Sequence, residues 1–371
     1  NEKTRLELFN LFSRAIMSGR HKTYERFNDW GSTIYSFPLV LNSGFKDVKA
    51  YAQKKGIEIR QAYEDSIIAL RQEELSSSCI CANSLLLRCA LFPLYPRLGQ
   101  KQAPSLASQI KAFLETYGIR AEIFSYRASS DGKGVEGPFS GNSFTVTLGG
   151  DGTVLFACRS CAKLSIPVFP INLGEFGFLA SVQVADWKRD LSLFIEGKLP
   201  ICERSLVSCE VIRDGKSVFS SFGLNDVVIS SPGSSRLINL RVAYNHALLG
   251  PFKANGIIVS TPTGSTAYSA AAGGPILDPS LEGLVLTPVS SFSLSARPLV
   301  FGSKGEIAIT VLPSRVDIAL CIDGQVNFKL SENDVIILGI PAFRALLAGA
   351  TQEKFYAALQ SKLNWSGGPR A

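Results

Sequence analysis

A glycine turn between a strand pattern and a helix pattern constrains this chain more than any other feature. Ser143-Phe144-Thr145-Val146-Thr147-Leu148 alternates apolar and polar residues and reads as a strand. Gly149-Gly150-Asp151-Gly152-Thr153 follows, and Val154 to Leu164 then carries apolar residues at helical spacing. Glycines in such a turn let backbone N–H groups approach an anion, and the helix N-terminus adds positive potential. The turn contains one carboxylate, Asp151. An acid beside a polyphosphate repels it, so its presence implies a task such as holding a metal or taking a proton.

The surrounding pattern places that turn in a parallel α/β sheet. Leu85-Leu86-Leu87 through Leu91 reads as a buried strand, Ala107 to Tyr117 as an amphipathic helix stopped by Gly118, and Ile119 to Phe124 as a second strand. A Gly/Ser loop over Ser129 to Gly141 leads to the glycine turn, and Ile166 to Ile171 is the next strand. Strands alternating with helices predict a Rossmann-like sheet covered on both faces. After about residue 185 the texture becomes β-rich. Strand-like runs occur at Val207–Ile212, Ser217–Phe222, Asp226–Ser230, Leu237–Tyr244, Gly256–Ser260, Glu306–Leu312, Val316–Ile322 and Val335–Leu338. Gly, Pro, Asn and Asp punctuate them, which predicts a β-sandwich-like domain. Glu353 to Leu363 reads as a final helix packing back on the first domain. The expected division is an extension over 1–78, an α/β domain over 79–184, a β-rich domain over 185–340 and a returning segment over 341–371. In the extension, Lys46 to Ala69 has helical spacing and Glu73 to Ser78 reads as a linker.

Bulk properties remove several classes. The 371 residues are 46% hydrophobic and 19% charged, so the bulk of the chain has cores to bury. The net charge of +7 fits a basic cleft for a phosphate-bearing ligand; no basic block with interleaved aromatics points to nucleic acid. No apolar run reaches the length that crosses a bilayer. Leu6 to Ile16 contains Glu7 and lacks a small-residue cleavage pattern, so no secretory signal is expected. The eight cysteines, with Cys89, Cys209 and Cys321 in strand-like runs, suit a reducing compartment, and a cytoplasmic location is expected. Cys158 and Cys161 have CxxC spacing but no second pair, and read as buried helix thiols one turn apart. With only His21 and His246, a histidine triad or multi-histidine zinc site is excluded, and no metal-ligating residue set is assigned.

Four further motifs accompany the turn. Asn172-Leu173-Gly174-Glu175-Phe176-Gly177-Phe178-Leu179 follows a strand and permits a tight turn beside the first site. Leu224-Asn225-Asp226-Val227-Val228 puts an amide and a carboxylate at a strand start, a pair able to hold vicinal ribose hydroxyls. Thr261-Pro262-Thr263-Gly264-Ser265-Thr266-Ala267-Tyr268-Ser269 is dense in hydroxyls and runs into Ala270-Ala271-Ala272-Gly273-Gly274-Pro275, whose small residues admit a flat ring. Ile322-Asp323-Gly324-Gln325 is a turn in the β domain.

In this order, the set resembles the NAD kinase family, whose members phosphorylate NAD on the adenosine 2′-hydroxyl with ATP or polyphosphate. The resemblance covers about residues 80 to 371. It implies an N-terminal α/β domain, a C-terminal β domain and a homo-oligomer, dimer or tetramer. It implies Asp151 as the proton acceptor and Gly152 beside the dinucleotide, with Gly149, Gly150 and Thr153 also in the nucleotide-binding turn. It implies dinucleotide contacts from Asn225, Asp226, Arg236, Lys253, Asn255, Thr266, Ala267, Tyr268, Ser269, Ala270, Ala271 and Gln325. A divalent cation, magnesium, is expected to arrive with the phosphate donor. Two positions depart from the family pattern: Asp226 replaces the usual glutamate, and Asn255 stands where an aspartate is usual. The glycine turn is shared with lipid kinases of the diacylglycerol and sphingosine type, which are the alternative enzyme. A non-catalytic dinucleotide-binding module is the other alternative, kept open by Asn255.

Overall fold

The computed structural model divides by compactness into residues 1–82 and 83–371. It describes residues 88–93, 103–124, 139–174, 177–232, 236–293 and 295–363, all in the second unit. The readings made for residues 1–78, for Leu85 to Leu87 and for most of the Gly/Ser loop lie outside the described residues.

The first sheet has seven strands: β1 (Arg88–Pro93), β2 (Arg120–Ile123), β3 (Phe144–Gly149), β4 (Val168–Asn172), β5 (Val182–Gln183), β6 (Ile201–Arg204) and β19 (Ala345–Ala348). Its order is β2-β1-β3-β4-β19-β6, with β5 also on β4. Every pairing is parallel except that of β6 with β19. β3 and β4 are buried along their whole lengths, as central strands covered on both faces must be. Helices α1 (Ala103–Thr116), α2 (Asp151–Cys161) and α3 (Trp187–Ile195) flank it. α1 buries Leu106, Ile110 and Leu114 at helical spacing. α3 lies in the stretch read as β-rich. It was missed because it is short, but its buried Trp187, Asp190, Leu191 and Phe194 follow a helical period.

The second domain is a sandwich of two six-stranded sheets. One has the order β11-β10-β15-β18-β7-β8 and comprises β7 (Val207–Arg213), β8 (Lys216–Gly223), β10 (Ile238–Tyr244), β11 (Ala247–Ala254), β15 (Ile307–Val311) and β18 (Val335–Gly339). The other has the order β14-β13-β12-β9-β16-β17 and comprises β9 (Asp226–Ser230), β12 (Gly256–Ser260), β13 (Gly283–Val289), β14 (Leu299–Gly302), β16 (Ile318–Ile322) and β17 (Val326–Leu330). Alternate residues of both sheets, among them Val211, Leu240 and Ile309 on one side and Ile229, Ile257 and Leu320 on the other, meet in one core. The chain then returns: β19 enters the parallel sheet beside β4. A single helical turn α4 (Tyr268–Ala271) belongs to the hydroxyl-rich segment, and α5 (Gln352–Leu363) closes the described chain. α5 packs on the first domain as expected: the Phe355 and Phe178 rings lie 5.9 Å apart, and Lys354 Nζ donates to the Ser181 carbonyl at 3.1 Å.

Candidate functional site

The glycine turn is where β3 ends and α2 begins. Gly150 is the N-cap, in extended backbone, and its carbonyl accepts from the Thr153 and Val154 amides. The first turn of a helix leaves backbone N–H groups without intrahelical partners, which suits an anion. Asp151 opens α2 and is half-buried. Its Oδ1 accepts from the amides of Leu179 (3.1 Å) and Ala180 (3.0 Å), and its Oδ2 from the amide of Phe178 (3.0 Å). The second glycine motif therefore serves to fix the carboxylate. A Cβ at Gly177 would run into that carboxylate, so glycine is what lets the turn close on it. Oδ1 has both lone pairs engaged; Oδ2 keeps one for a proton or a cation.

A second fixed carboxylate lies across the domains. Asp323 is buried at the tip of the β16–β17 turn with φ of 51°, in the left-handed region that aspartate tolerates better than most residues. Its Oδ1 accepts from the amides of Asn225 (2.8 Å) and Asp226 (3.2 Å), and its Oδ2 from the amide of Leu224 (2.9 Å) and from Arg159 Nη1 (3.2 Å). Burial pushes the Asp323 carboxyl up, while Arg159 and the three amides oppose that shift. The other arm of Arg159, Nη2, donates to Gln325 Oε1 at 2.9 Å, and Gln325 Nε2 donates to the Gly152 carbonyl at 2.8 Å. Thus the glycine turn, α2, the Asp323 turn and the Asn225–Asp226 pair form one connected hydrogen-bonded unit.

Within that unit the side chains of Asn225 and Asp226 make no hydrogen bond to the described chain, although their backbones are pinned. Asp226 is 5% exposed, and burial, with Asp323 adding, pushes its carboxyl up to about 7. These are polar groups held in place with open valences.

The hydroxyl-rich segment packs on the same pair. Thr261 Oγ1 donates to the Leu224 carbonyl (2.5 Å) and accepts from the Gly264 amide (3.1 Å). A Cβ at Gly264 would overlap the Asn225 backbone. Ser265 Oγ donates to the Pro262 carbonyl (2.6 Å) and accepts from the Leu277 amide (2.9 Å); Ser269 Oγ pairs with Thr287 Oγ1 (2.9 Å). The buried hydroxyls therefore shape the segment itself. Tyr268 is 48% exposed, and Thr266, Ala267, Ala270 and Ala271 are accessible around it.

Three of the residues implied by the resemblance are not at this unit. Arg236 precedes β10, Lys253 lies on β11 with its ammonium over the Phe292 ring, and Asn255 precedes β12. β12 pairs Ser260 with Asp226 and Gly256 with Ser230, so Asn255 is at its opposite end. A strand of that length separates it from Thr261 by roughly 20 Å. Thr153 is also displaced: it is 1% exposed and faces inward against Gly149.

The sequence reading missed Arg159, Asp323 and Gly177 as site residues. Arg159 lies between Cys158 and Cys161 and stands seven residues after Gly152, on the same helical face. Cys158 and Cys161 themselves are free buried thiols of α2, with burial pushing Cys161 to about 12.

Comparison with known proteins agrees with this arrangement. Residues 139–199 match the ATP-NAD kinase N-terminal domain, and residues 224–343 match the ATP-NAD kinase C-terminal domain. The NAD kinase of Treponema denticola is 45% identical over 271 residues, 73% of this chain and 94% of that protein. That of Treponema pallidum is 43% identical over 268 residues, 72% of this chain and 87% of that protein. The yeast NADH kinase solved with NADH shares the fold at a TM-score of 0.66 and 22% identity, covering 77% of this chain and 90% of that one. An Archaeoglobus fulgidus NAD kinase solved with ATP gives 0.59 and 23%, covering 75% and 99%. With two domain matches in the right order and relatives this similar over most of their length, the chain belongs to the NAD kinase family.

Proposed function

We propose that the chain acts as an NAD kinase, moving a phosphoryl group from ATP or polyphosphate to the adenosine 2′-hydroxyl of NAD. The observation that carries this reading is the Asn225–Asp226 pair. Its backbone is fixed by Asp323, its side chains are open, and it is tied through Gln325 to the phosphate-binding turn. Such a pair holds a ribose hydroxyl at fixed geometry, and phosphoryl transfer depends chiefly on positioning. A lipid substrate is not favoured, because the family matches and relatives are NAD kinases.

In this reading Asp151 accepts the proton of the attacking hydroxyl on its open Oδ2 lone pair, while three amides hold the carboxylate in orientation. The α2 N-terminus and the glycine amides face the donor's phosphates. A magnesium ion arriving with the donor would be held chiefly by the donor's own phosphate oxygens and would offset their charge, leaving the Asp151 Oδ2 lone pair for the proton. Tyr268 and the small residues after it receive a flat ring. Arg236, Lys253 and Asn255, at the far end of β12, would act on the site of a second copy, which fits the expected homo-oligomer. The free thiols among the described residues, most of them buried, support a cytoplasmic location in this reading.

The test is direct. Purified chain, magnesium, NAD and either ATP or polyphosphate should generate NADP, read by a coupled NADP-specific dehydrogenase. No NADP with any donor contradicts the proposal.

A further inference from the structure

The Arg159–Asp323 pair lies outside the residues assigned to NAD or to the phosphates, yet its side-chain hydrogen bonds reach Asn225, Asp226 and Gln325, which are among them, and the neighbouring Leu224. Arg159 is two turns into α2 and its side chain is 10% exposed; the Asp323 side chain is fully buried. Asp323 uses both oxygens on four donors, three of which are the consecutive amides of Leu224, Asn225 and Asp226. Its own amide donates to the Asp226 carbonyl at 3.0 Å, so the Asp226 backbone is held from both sides. Arg159 forks: Nη1 to Asp323 and Nη2 to Gln325, whose amide reaches back to Gly152. The ring Gly152–α2–Arg159–Gln325–Gly152 is closed.

We propose that Arg159 is a positioning residue for the nucleotide site: through Asp323 it fixes Asn225 and Asp226, and through Gln325 it fixes their distance from the phosphate-binding turn. The role rests on the NAD kinase reading for its ligand but not for its geometry. A planar guanidinium fits because two acceptors two residues apart in one turn, on Asp323 and Gln325, must be reached at once. A lysine reaches one of them. An apolar side chain leaves Asp323 buried with no counter-charge, and the amides of 224–226 then face a carboxylate free to protonate or turn away.

The experiment compares wild type with Arg159→Lys and Arg159→Met in the full chain. NAD affinity is read by calorimetric titration, and the Michaelis constants for NAD and ATP by the coupled assay. Amide exchange at Leu224, Asn225 and Asp226 is followed without ligand. Arg159→Met should weaken NAD binding at least about tenfold, the usual scale for removing a buried charged hydrogen-bond partner. Arg159→Lys should fall between it and wild type. The NAD Michaelis constant should rise in step, with that for ATP within about threefold of wild type, because Asp323 holds the nucleoside pair directly while the donor turn is reached only through the Gly152 carbonyl. Exchange at 224–226 should speed up while the β12 and β13 amides stay protected. A generally loosened fold would instead raise exchange everywhere and leave the NAD constant of the folded fraction unchanged; that pattern overturns the proposal. If Arg159→Met does not fold, Arg159→Lys decides, and wild-type affinity and wild-type exchange in that variant overturn it. A wild-type chain that makes no NADP contradicts the kinase reading, while the ligand-free exchange comparison still tests the positioning role.

Discussion

Gln325 Nε2 donates to the carbonyl of Gly152 at 2.8 Å, joining the β-domain turn to the first turn of α2. The contact spans 173 residues of sequence and links the phosphate-binding turn directly to the β sandwich. Gln325→Met keeps the length of the side chain but removes the amide donor and acceptor. It also leaves one arm of Arg159 without its partner. The expected result is a rise of several-fold in the NAD Michaelis constant, about the worth of one to two hydrogen bonds. Steady-state kinetics with NAD varied at saturating ATP checks it; an unchanged constant contradicts the bridging role.

Asp151→Asn tests the base. The asparagine oxygen can still accept from Leu179 and Ala180, but its NH2 group then faces the Phe178 amide, donor against donor. Turnover should fall about 10²–10⁴-fold, the range for loss of a general base, with NAD binding largely kept. A stability loss of about 1–3 kcal/mol should accompany it, from the unsatisfied amide. Activity above about a third of wild type would remove Asp151 from the chemistry.

Asp226 gives a pH signature. Burial, reinforced by Asp323, pushes its carboxyl from 3.8 up to about 7. The folded state therefore holds this proton more tightly than the unfolded chain. The resulting stability is complete below about pH 4 and is lost as pH rises through 7. Asp226→Asn keeps the shape and cannot ionise. Its stability relative to wild type should rise between pH 5 and pH 8, read as urea midpoints at the two values. A difference that does not change with pH would mean that Asp226 does not titrate in this window.

Much of this was legible in the sequence because local pattern and local structure coincide. β9 and β12 run over Asp226–Ser230 and Gly256–Ser260, as their apolar runs between turn residues indicate. β11, β17 and β19 were not legible. β11 is mostly exposed, β17 alternates half-buried with exposed residues, and β19 has four residues whose burial comes only from entering a distant sheet. The site divides the same way. Asp151, Asn225 and Asp226 stand in motifs that announce themselves. Arg159 and Asp323 become functional only when the fold brings residues 164 positions apart together. Arg236 follows Asp226 by ten residues and Asn255 precedes Thr261 by six, but the extended strands β9 and β12 carry the chain away from the turn.

Asn255 should be a tolerated variation. It precedes β12, and its amide donates to the Val289 carbonyl, a backbone contact that any residue but proline makes. Its side-chain oxygen accepts as an aspartate would, without the charge. Asn255→Asp should change the NAD Michaelis constant by less than about tenfold with turnover preserved. A natural chain inactive with every donor, and switched on by this one substitution, would favour a dinucleotide-binding module instead.

The position of the new phosphate tests the central claim most directly. The chain is incubated with NAD, magnesium and ATP or polyphosphate, and the product is isolated and examined by phosphorus NMR with proton coupling to the ribose. The account predicts one additional monophosphate on the adenosine 2′-oxygen and a product that supports an NADP-specific dehydrogenase. Phosphate at any other hydroxyl, or unaltered NAD with every donor, would contradict it.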